Sequence, residues 1–177
     1  MRPEPPRYFR ETRIASLTVR SVYGYKVKIR VGGLTESEKK HLSEACDYID
    51  RALRGHEYEK TVRAVMNVVG FVSAKSSHVS AGYSGWVDPS SPVIILSAKM
   101  FKPTYPFNEF IVTVLHEVLH LIFKPGDEDS SSKDEALHDL GCYEILGIVV
   151  PENHWALQKF PELKGRHVVL DFTRKEP

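Results

Sequence analysis

Cysteine is nearly missing from this chain. Cys46 and Cys142 are the only two in 177 residues, too few for a disulfide framework and in keeping with a reducing, intracellular setting. Long apolar runs are missing too. No stretch approaches 18 consecutive apolar residues, so no membrane-spanning helix is expected. The opening MRPEPPRYFRE lacks the apolar core of a secretory leader. Neither sign of charge dominates: 24 Lys and Arg stand against 23 Asp and Glu, which leaves no electrostatic footprint for nucleic acid. Internal repeats and low-complexity tracts are absent. What remains is the expectation of one cytoplasmic domain over residues 1–177, with 1–12 and 173–177 loose. A chain of this length can bury about two-thirds of its unfolded surface.

Against that plain background one stretch stands out, FIVTVLHEVLHLIF at 110–123. It is apolar nearly all round, and its polar residues Thr113, His116, Glu117 and His120 fall at i, i+3, i+4 and i+7, one stripe of a helix. A buried helix with an ionisable stripe must satisfy it, because each unpaired buried polar group costs about 1–3 kcal/mol. The stripe reads His116-Glu117-x-x-His120, an HExxH pattern. Two histidines four apart can present ring nitrogens to one cation, and Zn²⁺ suits imidazole while keeping an open position in catalytic sites. Glu117 sits beside them, placed to take a proton from water and pass it to a leaving amine. The competing reading is a satisfied core pair on an ordinary buried helix. A chance HExxH would rarely also form the only polar stripe of an apolar helix.

Around this helix the chain alternates strand and helix signals. IASLTVRSVYGYKVKIRVGG reads as two strands about a turn near Gly24, the second alternating Tyr25, Val27, Ile29 and Val31 with Lys26, Lys28 and Arg30. Thr35 and Glu38 form a capping box that opens a helix to about Leu53, and Gly55 closes it. His41 reads as a surface residue and Cys46 as a small helix residue. Residues 60–75 are ambiguous, with a helix breaking near Gly70 the preferred reading. Strands follow at 78–87 and at 92–99, the latter (PVIILSAK) a candidate lip for the cleft that can hold an extended peptide by strand addition. Asn108 is the expected cap of the HExxH helix. The loop after Phe123 carries Asp127, Glu128 and Asp129 without the spacing of a calcium loop. Ser132 or Asp134 should cap a helix to about Leu146, Pro151 should start a short amphipathic helix, and 167–172 reads as a last strand.

A catalytic zinc takes three protein ligands plus water. A third His six residues after His120 would be the metzincin arrangement, but Gly126 stands there. The next helix, DEALHDLGCYEIL, offers Glu135 and Asp139 on one face with His138 beside them. Glu135 is assigned as the ligand and Asp139 as the acceptor that orients His116, since a metal-bound His needs its other N–H held. His138 is the alternative third ligand or an oxyanion donor. Other candidate oxyanion donors are His154, Tyr105 and Tyr143, with a packed core aromatic the plainer reading of Tyr143 and a surface position that of His154.

In this pattern the chain resembles the zincin metallopeptidases, and among them the gluzincins, where an HExxH helix is followed by one carrying Glu-x-x-x-Asp. More narrowly, HEVLHLIF, DEALHDLGCYEIL and VVPENHW resemble the intracellular ImmA/IrrE-type peptidases over about residues 92–156. The resemblance implies an α+β, zincin-like fold, a small twisted sheet packed on the HExxH helix and further helices. It implies one Zn²⁺ and hydrolysis of a peptide or protein substrate, while the balanced charge and the lack of a long apolar run argue against a nucleic acid or membrane partner. A non-catalytic zinc-binding regulatory domain and an SprT-like zincin with a third His are the competing expectations.

Overall fold

In the computed structural model, residues 14–20, 26–32, 34–66, 69–74, 82–88, 91–123 and 133–168 are described. They are helix-rich, with one mixed five-stranded sheet. The expected turn near Gly24, the acidic loop at 127–129 and Ser132 lie outside the described residues, as do 1–12 and 173–177. So does most of the strand expected at 167–172.

The first two strands, β1 (Ile14–Arg20) and β2 (Lys26–Gly32), pair antiparallel as the alternation predicts. Helix α1 (Glu36–Ala52) opens on the capping box: Glu38 N–H donates to Thr35 Oγ1 at 3.2 Å, and Thr35 N–H donates to Glu38 Oε1 at 3.0 Å. Leu42, Ala45, Cys46 and Ile49 line its buried face, the spacing of one helical stripe. Gly55, at φ 77°, turns the chain in the left-handed region. Helix α2 (Glu59–Met66) is tied back to α1 by Arg63, which pairs with the Asp50 carboxylate and donates to the Asp50 carbonyl at 2.9 Å.

The preferred helix over 60–75 is corrected here. It ends at Met66, and β3 (Gly70–Ala74) follows as a strand, parallel to β2 on one side and to β5 (Ser91–Ser97) on the other. Phe71 is fully buried there, and an apolar run with partners on both sides is what an interior parallel strand requires. Helices α1 and α2 supply the crossover that parallel pairing of β2 and β3 needs. Strand β4 (Gly82–Asp88) then pairs antiparallel with β5 (Ser91–Ser97), giving the order β1-β2-β3-β5-β4. PVIILS is therefore not a lip. It has neighbours on both sides, as its continuous apolar character favours, and among the described residues the edge strand beyond it is β4, which packs against the HExxH helix.

That helix is α3 (Phe107–Phe123), and it runs through the main core. Phe110, Ile111, Val114, Leu115, Val118 and Leu119 are fully buried, against α1, α2 and the next helix. Its first turn begins one residue before the expected cap: Asn108 lies inside it, and Phe110 N–H donates to Pro106 O at 3.1 Å. Leu115→Ala should cost about 2–5 kcal/mol, as truncation at a filled core position does, read as a lowered denaturant midpoint with unchanged m-value. His41 is half-buried rather than fully exposed; it stands edge-on to Phe101, Phe107 and Phe110, at 6.1, 5.0 and 4.5 Å between ring centres.

Helix α4 (Lys133–Leu146) lies against α3. Asp134 is within its first turn rather than capping it. The short α5 (Trp155–Lys159) starts four residues after Pro151, because the Pro151–His154 turn comes first and His154 is the cap. Ala136 and Leu140 of α4 meet Ala156 and Leu163 in a second, smaller apolar cluster.

Candidate metal centre

Buried apolar side chains pack around α3, and His116 and His120 of its polar stripe face α4. His116 and His120, one turn apart, bring their Nε2 atoms to 2.8 Å. Glu135, in the first turn of α4, places Oε1 2.6 Å from His116 Nε2 and 3.2 Å from His120 Nε2. Donors around a tetrahedral zinc stand roughly 3.3 Å apart when each is about 2.0–2.1 Å from the ion, so a shift of well under 1 Å would fit one.

The far side of the His116 ring decides what that convergence can do. His116 Nδ1–H donates to Asp139 Oδ1 at 3.1 Å, which puts the proton on Nδ1 and leaves Nε2 as a lone pair. A lone pair facing a carboxylate oxygen is unfavourable unless a proton or a cation lies between them. The donor set, two imidazoles and a carboxylate, suits a divalent ion such as Zn²⁺. Asp139 supplies the oriented second contact that metal-bound histidines carry.

The titration of the group follows. Burial opposes a charged His116, but the bonds to Asp139, Cys142 and Glu135 outweigh it and hold the imidazole well above its usual range. Burial would raise the carboxyls of Glu135 and Asp139, yet their histidine partners hold both well below the carboxylate range. Without metal, Glu135 and Asp139 lend stability above their unfolded values, lost as pH falls through the depressed folded ones. His116, being raised, lends stability below its unfolded value, lost as pH rises through the folded one. A cation must displace that proton. Zinc affinity should therefore keep rising with pH well above the ordinary imidazole value of 6.5, and calorimetry in two buffers of different ionisation heat should register proton release.

No protein-family model, curated protein or solved structure matches this chain.

The group opens on a cleft of about 510 Å³, lined by His116, Glu117, Glu135, Asp139, Tyr105, Glu109, Tyr143, His154 and Trp155 among others. Glu117 is 8% exposed and lines the cleft together with His116. Tyr105, in the bend just before α3, and Tyr143, on α4, both line the cleft. Burial raises both hydroxyls, with nearby Glu109 and Asp139 adding to the effect, so both remain O–H donors at neutral pH. Tyr105 and Thr113 share a hydroxyl contact at 3.4 Å.

His138 is not brought to this cleft. It is buried behind His116, its ring 4.4 Å from that of His116 between centres, and its Nε2–H donates to the His116 carbonyl at 3.1 Å. It approaches His116 and Cys142 closely enough that those three also form a compact donor group. Burial pushes the Cys142 thiol up to about 11 and the Cys46 thiol to about 12, which makes both poor nucleophiles.

Sequence reasoning gave Asp139 one partner. Its Oδ2 also accepts from His154 Nε2–H at 2.8 Å and Trp155 Nε1–H at 3.3 Å. The only signal for this in the sequence is the polar-aromatic pair His154-Trp155 just before a short helix, which says nothing about its target. Asp139→Asn keeps the shape but allows an amide N–H to face His116 Nδ1, favouring the wrong tautomer. Zinc affinity should fall about 10–100-fold, the usual cost of losing such a partner, as measured by competition with a chromophoric chelator.

Proposed function

We propose that this chain is a zinc-dependent peptidase of gluzincin-like, zincin type, with His116, His120 and Glu135 as ligands, Glu117 as general base and a peptide or protein as substrate. The observation that carries the reading is the convergence of His116 Nε2, His120 Nε2 and Glu135 Oε1 beside a cleft that also contains Glu117. A core pair of histidines needs neither an acidic third member nor a neighbouring base.

Zinc, when bound, polarises a carbonyl and lowers the pKa of its water to about 7. The chain supplies the rest. Asp139 holds the His116 proton on Nδ1, so that Nε2 stays free for the ion. Glu117 takes the proton of the attacking water and delivers it to the departing amine, so the peptide C–N bond breaks as a C–O bond forms. The Tyr105 and Tyr143 hydroxyls are the donors on the cleft wall suited to a developing oxyanion. The edge strand β4, beside α3, is the place for an extended substrate to add by backbone hydrogen bonding.

Incubation of the zinc-loaded chain with an unfolded protein, followed by mass spectrometry of new termini, tests this. Cleavage that stops with a chelator is expected. Zinc binding with no cleavage of any unfolded substrate would favour the non-catalytic zinc-binding domain instead.

A further inference from the structure

Both ring nitrogens of His154 are committed. Its Nδ1 accepts from the Ala156 N–H at 3.1 Å, capping α5, and its Nε2–H donates to Asp139 Oδ2 at 2.8 Å. An acceptor at one nitrogen and a donor at the other assign the tautomer, and they leave no N–H for an oxyanion. The side chain is 8% exposed, with Tyr143 edge-on at 5.3 Å. Asp139 thus has its two oxygens pulled in different directions: Oδ1 by His116 at 3.1 Å, Oδ2 by His154 at 2.8 Å and by Trp155 at 3.3 Å. The shorter of the two Oδ2 bonds is the one from His154. Elsewhere α5 and the turn after it meet α4 through apolar contacts of Ala156 and Leu163 with Ala136 and Leu140, which have no directional hold on a carboxylate.

We propose that His154 is a positioning residue: through Asp139 it fixes the His116 ring for metal binding, so that metal loading and the capping of α5 reinforce each other. The proposal rests on the zinc reading of His116, His120 and Glu135. Its reciprocal form follows from linkage, since whatever the cap contributes to metal affinity, metal must return to the cap.

Two substitutions separate the two nitrogens. His154→Asn keeps a strong cap acceptor but is too short to reach Asp139, whereas His154→Gln carries an amide N–H to about the position of Nε2. By competition with a chromophoric chelator, His154→Asn should bind zinc about tenfold more weakly than wild type, near the lower end for outer contacts of a metal site. His154→Gln should recover most of that loss. By amide exchange, zinc should slow the Ala156 N–H of wild type and should not do so in His154→Asn. A folded His154→Asn with wild-type zinc affinity would overturn the proposal and leave the metal site standing. So would a His154→Gln as weak as His154→Asn, because the Nε2 donor would then not be what matters. Wild-type chain with no zinc affinity would overturn both.

Discussion

Glu117→Gln is expected to bind zinc as wild type does and to lose peptide hydrolysis by about 10²–10⁴-fold, the range attributed to a positioned acid–base group. The substitution is nearly isosteric. It leaves His116, His120 and Glu135 untouched, and the apolar residues around it on α3 keep their packing. An amide cannot take a proton from water at neutral pH, so binding and chemistry separate cleanly. The two readouts are zinc content of the purified variant and the initial rate on an unfolded substrate. Turnover within tenfold of wild type would remove Glu117 from the reaction, whatever the state of the metal.

The second large effect is at Glu135. Glu135→Ala removes one of three donors and leaves only the two Nε2 atoms of His116 and His120, 2.8 Å apart, to hold the ion. Zinc affinity should fall by more than the roughly 10–100-fold that outer contacts cost. His138→Ala should behave differently. It leaves all three donors in place but strips the His116 carbonyl of a buried N–H partner, a loss of about 1–3 kcal/mol in fold stability with zinc still bound. Metal analysis and thermal unfolding of the two variants check this. The reverse order would move the third ligand to His138, with Cys142 next to it.

What was legible in the sequence follows from how local each signal is. The α3 stripe is a property of one helix, so His116, Glu117 and His120 can be placed together from spacing alone. Glu135 and Asp139 needed one further step, that the following helix lies against the first, and the structure brings both to His116. His138, one residue before Asp139, points elsewhere: its N–H meets a backbone carbonyl, a partner that leaves no trace in side-chain patterns. The His154 contact with Asp139 reaches across the α4–α5 connection and is invisible to periodicity. In the sheet, a continuous apolar run such as PVIILS signals an interior strand, and reading it as the cleft lip missed that β4 lies outside it. The stretch 60–75 holds a helix carrying Thr61, Val62 and Val65 and a strand whose one β-branched residue is Val72, so β-branched content could not tell the strand from the helix.

Equilibrium binding of zinc to the chelator-treated 177-residue chain tests the central claim most directly. One ion per chain, bound with release of a proton, removed by chelator and regained on adding zinc, is the predicted result. Failure to take up zinc at micromolar concentration by a chain that remains folded would contradict it, and would return His116, His120 and Glu135 to the role of a buried hydrogen-bonded cluster.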